Sequence, residues 1–184
     1  MPYAPLFARL ALMLGLTLGL LGAGLSAAQA QLAVPSAGVV PDVAEATDRP
    51  DPARTYRLAF DMVSMGNANT VSPALTSIAR LINTYRSHGV PAGQIEATAV
   101  FHGPTIVLVA RDETYRGRTG AKANPNLALI RELAAAGVKM VVCGVSARDQ
   151  NYTAADLVPQ AHMNMSATVT FIDLLGRGYV KVDR

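Results

Sequence analysis

The chain has 184 residues, 51% of them hydrophobic, with a formal net charge of +3, no tryptophan and one cysteine. So small a basic excess, with no run of Lys or Arg and only 5% aromatic residues, excludes a nucleic-acid footprint and a set of base-stacking platforms. A single cysteine excludes an internal disulfide.

Residues 1–30 read as an export signal. Arg9 is the only charge ahead of an apolar run from Leu10 to Leu25, and Ala28-Gln29-Ala30 supplies a small-x-small cleavage pattern. The run falls short of the ~20 residues that a membrane span needs. The expectation is therefore a cleaved signal, an exported product, periplasmic or secreted, and no membrane anchor afterwards. Residues 31–54, with Pro35, Pro41, Pro50 and Pro52 and no sustained period, read as a flexible lead-in. Residues 55–184 suit one domain of ordinary size.

Within that domain, Tyr56 to Met62 begins by alternating and then becomes continuously apolar, which predicts a strand entering a buried sheet. The cluster Ser64-Met65-Gly66-Asn67-Ala68-Asn69 is a turn. Ser72 and Pro73 then open a helix with Leu75, Ile78, Ile82 and Tyr85 on one face, stopping at Gly89. Gln94 to Phe101 alternates as a second strand and ends at His102-Gly103-Pro104. Thr105 to Ala110 is read as a short helix. Arg111 to Asn124 is polar, broken by Gly117 and Gly120, and reads as a loop or partly mobile lid. Asn124-Pro125 starts a helix through Leu133 that Gly137 closes, and Val138 to Cys143 is the third strand. A polar loop, a helical turn at 154–158 and a short fourth strand at 161–165 follow. Ser166 caps a last helix ending at Gly176 or Gly178, and 178–182 is a terminal strand. Strands alternating with helices give a mainly parallel sheet of about five strands in a three-layer α/β sandwich.

The segment Gly137-Val138-Lys139-Met140-Val141-Val142-Cys143-Gly144, followed by Asp156-Leu157-Val158-Pro159 and Gly178-Tyr179, resembles the DsrE/DsrF-like sulfur-relay family, in particular its exported single-domain members. The resemblance runs from Tyr56 to the end. It implies a flavodoxin-like sheet, a homo-oligomer in the form of a trimer or hexamer, and a cysteine that accepts sulfane sulfur and passes it on as a persulfide. Carried to this chain, it makes Cys143 the candidate carrier, in a sulfurtransferase-like role. The partners it implies are a small sulfur donor or a thiol of another protein.

The residues themselves support the chemistry in a definite way. In open parallel sheets ligands collect where strands end, and Cys143 stands at such an end, although free cysteine is also a common buried core residue. A carrier needs a thiolate, so the amides after Gly144, the guanidinium of Arg148 and the imidazole of His102 are candidate stabilisers. Gly144 would admit a close approach. Asn67 and Asn69, in the turn before a helix, are candidate ligand-binding residues through the backbone amides there, although no dinucleotide or phosphate-binding glycine pattern is present. A Cys143–His102 hydrolase pair carries no local signature. A metal site from Cys143, His102 and His162 lacks ligand spacing, and the methionines fit core filler better than copper ligands. No cofactor or metal is therefore expected. The alternative function is a non-catalytic, homo-oligomeric binding or assembly module with a small-ligand cleft.

Overall fold

The computed structural model describes residues 32–184, and the expected signal at residues 1–30 lies outside them. Five strands form one sheet: β1 (Tyr56–Met62), β2 (Ile95–Phe101), β3 (Lys139–Cys143), β4 (Ala161–Asn164) and β5 (Val180–Asp183). All pairings are parallel, in the order β4-β3-β2-β1-β5. The helices are α1 (Pro73–Ser87), α2 (Asp112–Thr119), α3 (Leu127–Ala135), α4 (Gly144–Asp149) and α5 (Ala167–Gly176).

This order decides where the helices go. From β1 to β4 the chain steps one way along the sheet, so right-handed crossovers put α1 to α4 on one face. The connection from β4 to β5 jumps back across the sheet, so α5 must cover the other face. The core follows this division. Leu75, Ile78 and Ile82 of α1 and Leu129, Ile130 and Leu133 of α3 bury against Leu58, Phe60, Phe101 and Val142 of the sheet. On the opposite face Leu174 and Phe171 of α5 pack on Ala59 and Val100. The domain is an α/β sandwich of three layers, as the element pattern predicts, with one layer made of a single helix.

Two segments differ from the expectation. Arg111 to Asn124 is no mobile lid, because α2 occupies most of it. Asp112 and Glu113 sit in its first turn and Arg116 and Arg118 in its last, a charge order that suits the helix dipole. Gly120 takes the left-handed conformation that ends it, at φ 73°. Tyr115 is buried and donates to the Ala68 carbonyl at 2.8 Å. Nor is the lead-in loose throughout. Val34 is fully buried, its amide donates to Asn83 Oδ1 and its carbonyl accepts from Asn83 Nδ2, both at 2.9 Å. Burying one valine contributes about 1.5–3 kcal/mol, enough to hold a short segment that has no periodicity to announce it.

Among the described residues, no helix is long and apolar enough to cross a membrane.

Candidate functional site

Alternation along a strand sends successive side chains to opposite faces, and the register places a row of titratable groups on the α5 face. Asp61 pairs with Val100 and Val100 with Val141, so these three share that face. Two positions further along, His102 and Cys143 point the same way, side by side just beyond the Phe101–Val142 pair. Lys181, in register with Ala59 on β5, also lies on this face.

The chain leaves β3 for α4 on one face and leaves β4 for α5 on the other. Connections that diverge in this way open a crevice at the carboxyl edge of the sheet. A cleft of about 590 Å³ occupies it, lined by Asp61, His102 and Cys143 from the sheet, Ser146 and Ser166 from the helix starts, and an apolar wall that includes Phe171 and Ile172 of α5.

Cys143 is both the last strand residue and the N-cap of α4. Its Sγ accepts the Ser146 amide at 3.5 Å, and the residue is 5% exposed. Both sequence readings of this thiol are therefore half met, since it is buried and it also lines a cleft. Burial works to push the thiol up, but the hydroxyl and amide of Ser146 and the amides of Ala167 and Val145 outweigh it. The net effect holds Cys143 below the ordinary thiol value, which favours thiolate. Ser146→Ala is expected to shift the pH midpoint of alkylation upward and to slow alkylation by iodoacetamide at neutral pH. A pH–rate profile checks this.

Gly144 is needed for a reason other than admitting a ligand. A Cβ there would collide with the Asn164 carbonyl oxygen and lie 3.3 Å from that of Met165. The close approach is internal, between the start of α4 and the link from β4 to α5. Met165 also accepts the Val145 amide, at 3.2 Å.

On the other side of the cleft, His102 Nε2 lies 2.6 Å from Asp61 Oδ1, and Lys181 Nζ lies 2.7 Å from Asp61 Oδ2 and 3.1 Å from Asp183. Lys181 also sits 5.3 Å from the centre of the Phe171 ring. Burial raises the Asp61 carboxyl, but the Lys181 ammonium and the His102 ring prevail and hold it below the usual carboxylate value. Its contribution to stability is fully present above ~3.9, where an unfolded Asp is ionised, and is lost as the pH falls through the lower folded value. The stability difference between wild type and Asp61→Asn is thus expected to shrink in acid. Urea midpoints measured across pH 2–6 would reveal it.

The remaining candidates lie outside the cleft. Arg148 is exposed and turns onto its neighbour Asp149, with Nε and Nη2 at 3.0 and 2.8 Å from Oδ1. The polar loop expected after Cys143 is instead α4, and five residues along a helix carry a side chain well away from its cap. Asn67 and Asn69 are exposed in the turn after β1, where Asn67 Oδ1 accepts the Asn69 amide at 2.8 Å. They serve the turn and do not line the cleft. Of the expected set, Gly144 does not line the cleft, and the structure brings together Cys143 and His102. It adds Asp61, Lys181 and Ser146, which the sequence reading did not single out. Asp61 carried a signal, as a carboxylate inside the apolar stretch Leu58-Ala59-Phe60-Asp61-Met62.

Comparison with known proteins gives three results. The model of a family described as the DsrE/DsrF-like family matches residues 46–182. Among solved structures, a protein of unknown function from Methanobacterium thermoautotrophicum, MTH1491, superposes with a TM-score of 0.47 at 16% identity, covering 70% of this chain and 99% of its own. No curated protein matches.

Proposed function

This chain belongs to the DsrE/DsrF-like family, a family associated with sulfur relay, and from that premise we propose that it accepts and passes on sulfane sulfur as a persulfide on Cys143. The observation that carries the proposal is a thiol at the sheet's carboxyl edge, in a cleft, with amides and a hydroxyl directed at its sulfur. Those donors stabilise a thiolate, the form that attacks a donor's outer sulfur. They also suit the persulfide anion that results. Ser146, Val145 and Ala167 hold the charge, and the apolar side of α5 lines the cleft.

Export and assembly belong to the same proposal. Val169, Ile172 and Leu175 of α5, with Met165 and Val180 nearby in the chain, are exposed apolar side chains. A grouping of this kind marks an interaction surface, which supports a homo-oligomer. It equally favours the second reading, an assembly module whose thiol is spectator to the contact.

Intact-mass spectrometry before and after incubation with polysulfide, followed by a reductant, separates the two. A reducible gain of ~32 Da is expected for the carrier. An alkylatable Cys143 that takes up no sulfur would overturn it and leave the assembly module.

A further inference from the structure

Sulfur transfer to a thiolate has a second requirement besides the nucleophile. When the donor's sulfur–sulfur bond breaks, its electron pair leaves on a thiolate, and an alkyl thiolate is a poor leaving group unless a proton meets it. One wall of this cleft is apolar, with Phe171, Ile172 and Leu175. A side chain of this cleft able to give that proton is His102.

We propose that His102, oriented by Asp61 and through it by Lys181, delivers that proton, so that the cleft is built for donors of the alkyl persulfide class. The inference rests on the sulfur-carrier reading of Cys143. Three observations carry it. His102 directly follows β2 and Cys143 ends β3, each one residue beyond the paired Phe101 and Val142, and both line one cleft. Asp61 accepts from His102 Nε2 at 2.6 Å, which fixes the ring's orientation. Asp61 is 8% exposed and held on its other oxygen by Lys181, so the carboxylate cannot swing away. A buried carboxylate orienting an imidazole beside a nucleophile is the arrangement that proton transfer requires.

The donor class follows from charge. Lys181 is engaged by both Asp61 and Asp183, and Asp61 and the Cys143 thiolate are themselves negative. The cations of the cleft, Lys181 and a protonated His102, are both held by Asp61, whereas an alkyl group fits against the α5 wall.

The step balances without an oxidant. The Cys143 thiolate bonds to the outer sulfur of R–S–SH, and the R–S to S bond breaks with its electron pair on R–S⁻. The imidazolium of His102 gives its proton to R–S⁻, releasing R–SH. The new Cys143–S–SH, more acidic than a thiol, returns a proton to the neutral imidazole and remains as the persulfide anion. The transferred sulfur keeps its oxidation level throughout. His102 is the catalytic residue in this account, and Asp61 and Lys181 are positioning residues.

A leaving-group series on the purified protein tests it. Single-turnover reaction of Cys143 is followed with bis(2-hydroxyethyl) disulfide, whose alkyl thiolate needs a proton, with bis(4-nitrophenyl) disulfide, whose thiolate does not, and with iodoacetamide. In His102→Gln and Asp61→Asn the alkyl disulfide reaction is expected to slow by ~10²-fold or more, while the other two stay within about twofold of wild type. Asp61→Glu should recover part of the loss. An equal loss with all three reagents would assign the pair a purely structural role and overturn the inference, as would an undiminished alkyl reaction. If Asp61→Asn does not fold, His102→Gln carries the same test. The sulfur-carrier reading fails separately, by the absence of a polysulfide adduct on wild-type Cys143, whatever the series shows.

Discussion

Cys143→Ser is expected to leave a folded protein that gains no reducible sulfur. The substitution is chosen for its local fit. Position 143 is the N-cap of α4 and accepts the Ser146 amide through its side chain, a task serine performs well. Alanine would forfeit that bond at about 1 kcal/mol, and its effect on sulfur uptake would be mixed with one on stability. Serine removes the chemistry almost alone, because a hydroxyl is not ionised where the amides around Sγ make a thiolate favourable. Intact mass after polysulfide treatment should show the ~32 Da increment in wild type and none in the variant, with unchanged thermal midpoints. Retention of the adduct in Cys143→Ser would remove Cys143 from the proposal.

Gly144→Ala is the second large effect, and it should damage both fold and site. The added methyl meets backbone oxygens of Asn164 and Met165, which cannot rotate aside as a side chain would. Relief requires the link from β4 to α5 to shift. Overpacking of this kind costs about 1–3 kcal/mol, and a domain of this size loses roughly 2–4 °C of melting temperature per kcal/mol. Because the same link carries the Ala167 amide toward Sγ, the shift should also weaken the thiolate and raise the pH midpoint of alkylation. A calorimetric scan and an alkylation profile on one sample report both. An unchanged melting temperature would mean that the link is more pliable than its contacts imply.

The elements legible in the sequence were those with a strong period. Alternation and apolar runs located all five strands, and Ser72-Pro73 and Ser166 marked the starts of α1 and α5 correctly. The segments that escaped have weak periods for physical reasons. α2 buries only Tyr115 and is otherwise rich in charge, so it looks like a loop until the order of those charges along the helix axis is considered. α4 is six residues long and opens with glycine, a poor helix former placed there by the steric demand at Asn164.

The candidate site divides in the same manner. Cys143 and His102 were readable because each ends a predicted strand. Their neighbours depended on strand order, which no local pattern encodes. Lys181 is 120 residues from Asp61 and meets it only because β5 returns to pair with β1. Arg148 is close to Cys143 in sequence, and a helical turn carries it away.

The return of β5 to the far side of β1 also sets a timetable for the molecule. As the chain is synthesised, β1 to β4 can pair with successive neighbours as each emerges. The α5 layer and its terminal strand can add only after residue 176 and beyond have appeared, and such long-range pairings form late. Until then Asp61 lacks its lysine, and the thiol lacks the wall that encloses its cleft. Reactivity at Cys143 is thereby tied to completion of the domain, and a chain stopped before Ala167 would present an ungoverned thiol on a half-covered sheet.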